Sequence, residues 1–502
     1  MEHVTGWGLD QASDDQRTQL AQQLVDSALE KVRQPLTAAV IMFFEQPLNP
    51  SSLMSLEVAL LGLVRMLCRN LLESVLNACE PAEANLLPKH VWFEGGGYRR
   101  RNQKTARRNV ASRFGDLVLH RRGYRSWQSG DGSIFPLEML LGLNHSATPA
   151  LVDWIGKNMA AAGSNQAAVI ALLRTDCGVT MGVERLRGCV HQLSESMAQF
   201  RQVHQVNELL RALNEAANST GSRKPVLAVG RDGITLCEYK HRFFEVATAA
   251  TVSVYDRAGK RLTTVYLAWP PELGQATMDR MLTELLTELL DRFTGPLPRL
   301  AYITDSGSNE ISYYQQVLRR MVHPRTGKRL KWVRVADYYH ASERIWAMAN
   351  ALFGKDTKEA HGWARRMLKA LKKPSGPSRV LHSAAGLFHR RKLSKSKQED
   401  FWKAYRYIQT RTSHMRYSEY AAVNIPLGSG VTEAACKTIF TQRLKNSGMR
   451  WSHEGAKTIL TLRTILLSKT WASTYEDCLK ASYPSNLRPY WKNECQQTKI
   501  AA

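Results

Sequence analysis

The N-terminal part of the chain follows a helical pattern of apolar positions. Between Asp14 and Glu80, apolar residues recur every three or four positions in two stretches, which the breaker EQPLNPSS at 45–52 separates. This pattern predicts a helical hairpin with a broad apolar face. Such a face fits a packed domain of its own and a dimerisation surface equally well. Because residues 1–90 hold 6 Lys or Arg against 11 Asp or Glu, we expect an assembly region there rather than a nucleic-acid surface.

A small basic β unit is predicted next. The stretch FGDLVLHRRGY, which starts at Phe114, alternates apolar and polar positions as a strand does. Residues 99–125 contain ten Lys or Arg and one acid. A solvated charged face is the common explanation of such a run, but this density of charge favours contact with phosphates. The expected DNA contacts are Arg99, Arg100, Arg101, Lys104, Arg107, Arg108, Arg121 and Arg122.

Residues 164–197 have the spacing of a helix-turn-helix motif. The pattern predicts a helix, a tight turn at Gly178, an N-cap at Thr180 and a second helix that carries Arg185 and Arg187. Ordinary packed helix pairs have the same spacing, so both interpretations stay open. If the pair is a DNA-binding helix-turn-helix motif, we expect Arg185 and Arg187 to contact DNA and residues 91–215 to form a DNA-binding region.

Five apolar runs after residue 224 have the length of strands. They are KPVLAVGRDGITL, HRFFEVATAATVSVYD, RLTTVYLAWP, RLAYITDSGS and KWVRVAD. Helical patterns separate the third run from the fourth and the fourth from the fifth. Three strands, a helix, a strand, a helix and a strand predict an α/β layer. We expect a core in two parts at 216–350 and 425–470, a basic helical insertion at 351–424 with 17 Lys or Arg against 5 acids, and a tail at 471–502.

Composition narrows the class of partner. The chain of 502 residues has a formal net charge of +25, which points to a polyanion. The start has no signal-peptide pattern, and Arg65, Arg69 and Glu73 interrupt the most apolar stretch. The eight cysteines form no C-x-x-C pair, which argues against a zinc ribbon and a disulfide framework. We therefore expect a soluble, intracellular protein without a membrane partner.

Three acids stand in blocks that resemble a known family. An Asp within the first strand, an Asp just after the fourth and a Glu on a later helix resemble the ribonuclease-H-like fold. The blocks are GRDG around Asp232, ITDSG around Asp305 and GSGVTEAACKTIFTQRLKNSGMRW around Glu433. The last block is similar to that of bacterial insertion-sequence transposases of the DDE class. It resembles in particular the ISKra-type group, which shares a Glu on a helix followed by R-L-K-x-S-G-M-R-W.

The resemblance implies a mixed-sheet catalytic core of ribonuclease-H-like fold, split by the helical insertion. It also implies that Asp232, Asp305 and Glu433 are both the catalytic residues and the ligands of two Mg²⁺ ions, which Mn²⁺ can replace. Each acid also has a purely structural explanation. Asp232 could be a turn residue, Asp305 could cap the following helix, and Glu433 could interact with the dipole at a helix N-terminus. The basic residues expected to hold phosphates of the element's end are Lys437, Arg443, Lys445 and Arg450.

The function that the resemblance implies is DNA transposition, in the bacterial cytoplasm and in association with the nucleoid. The protein would bind the terminal inverted repeats as a homodimer or higher oligomer, cleave the DNA ends and join the 3′-hydroxyls to target DNA. The alternative is a domesticated DNA-binding protein or regulator on the same scaffold without cleavage activity. It would need a lost acid, and all three acids are present.

The stretch VADYYHASERIW contains a further candidate acid, Asp337, and His340. In the resembled fold the fifth strand lies beyond the fourth, so Asp337 would be about two strand spacings from Asp232. We therefore expect Asp337 to cap the next helix and support the site rather than supply the second metal-binding carboxylate. His340 is expected beside it, either as a contact to the scissile phosphate or as a structural partner.

Overall fold

The computed structural model describes residues 12–101, 104–128, 132–237, 244–445 and 449–490, apart from the side chains of 237, 244, 245 and 490. The fold is mixed α/β, as the sequence predicts. The chain divides into two compact units. The first unit takes in residues 1–159, 164–196 and 475–502, and the second takes in 160–163 and 197–474.

Helices and strands are numbered in chain order. The helices are α1 Asp14–Phe44, α2 Pro50–Ala78, α3 Pro136–Leu140, α4 Pro149–Ala160, α5 Gln166–Leu172, α6 Val183–Asn218, α7 Ala276–Arg292, α8 Ser308–Tyr313, α9 Tyr338–Phe353, α10 Lys358–Leu371, α11 Gly376–His389, α12 Lys395–Arg411, α13 Tyr417–Ala422, α14 Gly430–Cys436, α15 Gln442–Leu444, α16 His453–Leu467 and α17 Trp471–Ser482. The strands are β1 His90–Phe93, β2 Gly96–Arg100, β3 Ala106–Ser112, β4 Gly115–Arg121, β5 Tyr124–Ser126, β6 Ser133–Ile134, β7 Val226–Cys237, β8 Phe244–Tyr255, β9 Arg261–Trp269, β10 Arg299–Thr304, β11 Trp332–Ala336 and β12 Arg488–Tyr490. A π-helical turn continues each of α5, α8 and α14.

The predicted N-terminal hairpin is formed by α1 and α2. Ser13 and Gln16 make a capping box at the start of α1, and Asn49 caps α2, whose first residue is Pro50. Helix α2 contains an 18-residue stretch that is long and apolar enough to cross a membrane, by length and composition alone. The interrupting charges of α2 therefore do not remove this property, contrary to the expectation from the sequence.

The basic β unit of the first unit is a hairpin of β3 and β4. Ala106 pairs with Arg121 at one end, and Gly115, at φ 118°, makes the turn at the other. A second sheet has the strand order β12-β1-β2-β5-β6. The predicted strand at 115–121 is confirmed, with side chains that alternate between buried and more exposed positions.

The predicted helix pair is present as α5 and α6, with Gly178 in the left-handed region at φ 66°. The N-cap prediction at Thr180 is wrong, because α6 begins three residues later, at Val183. Helix α6 has 36 residues, far more than a short base-reading helix requires.

The second unit contains a five-stranded sheet in the order β11-β10-β7-β8-β9. Strands β7, β8 and β9 are antiparallel neighbours, whereas β10 runs parallel to both β7 and β11. The fourth strand of this sheet, β10, thus lies between the first, β7, and the fifth, β11, which is the strand order that the sequence resemblance implies.

Both faces of this sheet are buried. Leu227 and Val229 of β7 share a core with residues of α6 and α7. Val226 and Ala228 point to the other side and share a core with residues of α9 to α13. The predicted insertion at 351–424 is therefore helical and forms one side of the sheet's core.

Candidate active site

Three aspartates lie at the same level on neighbouring strands. In the parallel register Ile303 is opposite Gly230, and Thr304 is opposite Ala336. Counting on from these pairs puts Asp305 between Asp232 and Asp337. Because adjacent strands are about 4.8 Å apart, Asp305 is the immediate neighbour of Asp232, and Asp337 is one strand further away.

Asp232 lies within β7 and is half-buried. Its Oδ1 accepts the backbone N–H of Gly233 at 2.8 Å. Burial raises the pKa of Asp232, the hydrogen bond from Gly233 opposes this, and the negative charge of Asp305 raises the pKa further. The Cys436 thiol and the Glu433 charge also act on this carboxyl group. Three carboxylates therefore interact electrostatically around Asp232.

Asp305 stands in a loop that other elements hold in place. Its Oδ1 accepts the N–H of Gly307 at 3.0 Å, and its carbonyl oxygen accepts the hydroxyl of Tyr407 at 3.0 Å. The next residue, Ser306, has φ 65°, and its carbonyl accepts a bond from Arg411 at 3.1 Å. A residue other than glycine in this region is strained. Helix α12 thus holds the loop that orients Asp305.

Glu433 is positioned by direct packing of α14 on the sheet. Thr432 and Thr251 hydrogen bond through their hydroxyls at 2.7 Å. A Cβ at Gly230 would lie 1.9 Å from Thr432 Oγ1. Only glycine therefore allows α14 to approach β7 this closely, two residues before Asp232 in the chain.

Asp337 caps α9, as predicted, and also ties it to α14. The side chain is fully buried. Its Oδ1 accepts the His340 N–H at 2.9 Å, and its Oδ2 accepts the N–H of Ser429 and the hydroxyl of the same serine at 2.7 Å. The Ser429 hydroxyl is also 3.1 Å from Glu433 Oε1. Asp337 therefore positions Glu433 through Ser429.

His340 lies between two glutamates. Its Nδ1 is 3.2 Å from Glu343 Oε2, and its Nε2 is 3.6 Å from Glu433 Oε1. Burial lowers the pKa of His340, but the hydrogen bond with Glu343 and the charges of Asp337, Glu343 and Glu433 together outweigh it, so that the pKa is raised. The imidazole is a polar group of the site and not a core residue.

One set of side chains in the described part of the chain places its ligand atoms close enough together to hold a divalent cation. Asp337, His340 and Glu433 each offer one ligand atom within 4.8 Å of the others. Asp232 and Asp305 are not part of this set, although the sequence predicts them as metal ligands together with Glu433. Carboxylate oxygens are the ligands that Mg²⁺ and Mn²⁺ prefer, and a cation would offset the repulsion from Asp305 that contributes to the raised pKa of Asp232. The donor types of Asp232, Asp305 and Glu433 therefore fit such an ion.

Glu310 is a fourth carboxylate of the site that the sequence reasoning missed. It is buried in the first turn of α8. A Cβ built at Gly307 would be 2.3 Å from Glu310 Oε2 and 3.5 Å from Asp305 Oδ1, so the two acids lie on either side of Gly307. Burial raises the pKa of Glu310, and the charges of Asp305 and Asp232 act in the same direction. The sequence feature that could have identified Glu310 is its position, five residues after Asp305 and at the start of a helix.

Three of the predicted DNA contacts are buried, because their side chains are used inside the fold. Arg121 forms an ion pair with Glu138, and Arg122 forms one with Glu80. Both arginines are buried. Arg443 is also buried, with its guanidinium 5.2 Å from the centre of the Trp451 ring.

Arg100 is half-buried and donates to the carbonyl of Leu87 at 2.7 Å. Arg187 is exposed but pairs with Glu184 and contacts Gln166. The other predicted contacts that are exposed to solvent are Arg99, Arg101, Lys104, Arg107, Arg108, Lys437, Lys445 and Arg450. These side chains remain available to a polyanion.

Three of the predicted basic residues line one open cleft of about 570 Å³ in the first unit. The lining residues are Arg107, Arg108, Asn109, His145, Ser146 and Arg185. Arg185 donates to the carbonyls of His145 at 2.9 Å and Ser146 at 2.6 Å, and Arg108 donates to the Ser146 hydroxyl at 2.8 Å. The turn residues His145 and Ser146 have φ 47° and 59°. This basic cleft is thus built by β3, a strained turn and α6.

Comparison with known proteins identifies no relative. No protein-family model matches the chain, and no curated protein matches it. What the site does must therefore be inferred from its residues and their arrangement.

Proposed function

We propose that the protein is a DNA transposase of the DDE class that cleaves the ends of a mobile element and joins their 3′-hydroxyls to target DNA. The observation that carries this proposal is the register of β7 and β10, which makes Asp232 and Asp305 neighbours, with the Glu433 helix packed on β7. Three acids at this spacing suit phosphodiester chemistry assisted by two metal ions.

The strand arrangement supports a ribonuclease-H-like core for this enzyme. The second unit has three antiparallel strands followed by two parallel ones, in the order β11-β10-β7-β8-β9. The first acid lies within the central strand, and the second follows the adjacent parallel strand. Helix α14 adds the third acid after the helical insertion at 351–424. This arrangement is the one expected from the family that the sequence resembles.

The residues of the chain have separate roles in this proposal. Asp232, Asp305 and Glu433 would hold Mg²⁺, which activates the attacking water or 3′-hydroxyl and stabilises the leaving oxygen when bound. The amides of Gly233 and Gly307 orient the two aspartates. Asp337 and Ser429 fix Glu433, and His340, beside Glu433, is placed to donate to a phosphate oxygen.

DNA binding is assigned to the exposed basic residues. The basic cleft presents three guanidiniums from two elements of the first unit. Such a cleft suits phosphates of a DNA backbone, which position the duplex without reading its sequence. The exposed Lys437, Lys445 and Arg450 follow the Glu433 helix and suit phosphates near the reacting strand.

Cleavage of the flanking DNA tests the function. The substrate is a duplex carrying the sequence at either side of the coding region, incubated with the full chain and Mg²⁺ or Mn²⁺. Asp232→Asn, Asp305→Asn and Glu433→Gln should each reduce strand cleavage roughly 100-fold or more while DNA binding persists. Asp291→Asn, at an exposed position of α7, is the matched control.

Two outcomes would contradict the proposal. Cleavage at the wild-type rate by any one of the three variants removes that acid from the catalytic set. Specific DNA binding by the wild type without any metal-dependent cleavage would support a regulator on this scaffold instead.

A further inference from the structure

The N-terminal hairpin exposes an unusual amount of apolar surface. Thirteen large apolar side chains of its two helices and the connecting turn are exposed to solvent. They are Val25, Leu29, Val40, Ile41, Met42, Phe44, Leu48, Leu53, Met54, Val58, Leu61, Val64 and Val75. Soluble monomers rarely expose a contiguous apolar patch of more than a few hundred Å². Something is therefore expected to cover this surface.

The two helices also leave a groove of about 490 Å³ between them. Small residues form part of its lining, including Ala38, Ala39, Ala59 and Gly62. A Cβ at Gly62 would meet nothing within 4 Å. Met42 and Val58 stand on opposite sides of the groove and are both exposed. The hairpin thus offers both projecting apolar side chains and an apolar recess.

The charge of the hairpin argues against polyanionic partners at its apolar surface. Residues 34–64 contain Glu45 and Glu57 and no Lys or Arg, in a chain whose formal net charge is +25. Nucleic acid and anionic lipid would therefore gain no electrostatic attraction here. Two copies that meet through this stretch bring together only these two acids of each copy, so the like-charge repulsion there is small.

The exposed area is sufficient for a stable interface. The thirteen residues are between 38% and 84% exposed, which amounts to apolar surface on the order of 1,000 Å² per copy. A standard interface buries about 800 Å² per partner. The same surface on two molecules is able to pair about a two-fold axis, with apolar side chains of each entering the groove of the other.

We propose that the hairpin is a homodimerisation element, in which α1 and α2 of two copies form a four-helix bundle. The dimer forms through this surface without DNA. The proposal stands apart from the proposed catalytic function, since no residue of the hairpin belongs to the candidate active site.

The molar mass of the full-length protein in solution tests the dimer. Sedimentation or light scattering without DNA should give a dimer at micromolar concentration. The double variant Val58→Glu with Leu61→Glu buries charges in the bundle and should raise the dimer Kd about 100-fold or more. Because both side chains are exposed in the single chain, its circular dichroism should not change. Leu273→Glu, at an exposed position of the second unit, is the matched control and should remain dimeric.

Three results would overturn this proposal. A wild-type monomer throughout the micromolar range would do so, and so would a dimer that the double variant leaves intact. Flotation of monomeric wild type with phosphatidylcholine vesicles, lost in the double variant, would assign the apolar surface to a membrane instead. Loss of the dimer with metal-dependent DNA nicking retained would separate assembly from catalysis.

Discussion

Close contacts of a few individual residues position the carboxylates of the candidate active site. Gly230 lets α14 touch β7, Ser429 links Asp337 to Glu433, and Gly307 leaves room for the Glu310 carboxylate beside Asp305. The contacts of Gly230 with Thr432 and of Ser429 with Asp337 join residues that are distant along the chain. Asp232, Asp305 and Glu433 were found from their places in the strand pattern and from the motif around Glu433, whereas these long-range supports depend on tertiary packing that no pattern encodes.

Replacement of Gly230 by alanine tests this packing. The new methyl group would overlap Thr432 Oγ1 and approach Thr251 Oγ1 at 3.0 Å. We expect a loss of about 1–3 kcal/mol in the free energy of unfolding and slower cleavage, because α14 must move away with Glu433. Denaturant titration and the cleavage assay measure the two effects.

Gly430→Ala is the matched control, since a Cβ at this position of α14 meets nothing within 4 Å. Thr432→Ala in the Gly230→Ala background should restore part of the lost stability. Wild-type stability and activity of Gly230→Ala would show that α14 has another route to its position.

At the scale of elements, the basic runs were harder to interpret than the strands. The order of strands and helices along the chain followed from run lengths and helical spacers, whereas the order of the strands within the sheet was implied by the resemblance to the ribonuclease-H-like fold. The run at 99–125 did not reveal which arginines are internal. Arg121 and Arg122 have acid partners that lie outside the run, the half-buried Glu138 and the buried Glu80, respectively. Net charge predicted the kind of partner but not the residues that meet it.

The short helical segment after α12 makes the second unit sensitive to acid. His414 is half-buried there. Burial, together with the charges of Arg334 and Arg416, lowers its pKa to about 4. In the unfolded chain the imidazole takes up a proton near pH 6.5, so protonation favours the unfolded state as the pH falls from 6.5 to 4.

His414→Gln should therefore reduce the drop in Tm between pH 7 and about 4.5. Differential scanning calorimetry at both pH values measures it. His389→Gln, at an exposed position of α11, is the control and should keep the wild-type drop. An equal drop in His414→Gln and wild type would remove His414 as a cause.

For the whole molecule, negative and positive net charge lie in different parts of the chain. Residues 1–90 carry a net charge of −5 and the remainder carries +30. The proposals assign the hairpin to contact with a second copy and the basic remainder to contact with DNA. The division of charge and the apolar composition of α2 are properties of the sequence, but the exposure of α2 to solvent emerged only from the folded chain.

Salt dependence measures the contribution of the basic cleft to DNA affinity. Arg107→Ala and Arg108→Ala should each weaken DNA binding and reduce the slope of log K against log salt by about one. Fluorescence anisotropy over a salt series gives both values. Arg33→Ala, on the acidic hairpin, should leave the slope unchanged. The same slope in all four proteins would exclude the cleft from the DNA interface.

The helical insertion has an unexpected place in the molecule. Tyr407 and Arg411 hold the backbone after β10, and Tyr417 and Tyr420 donate to carbonyls of Ala336 and Arg334 in β11. The inserted segment therefore supports the strands that present Asp305 and Asp337. Deletion of residues 351–424 would therefore remove the hydrogen bonds at the ends of β10 and β11. A homologue with a shorter segment here would need other residues to support both strand ends.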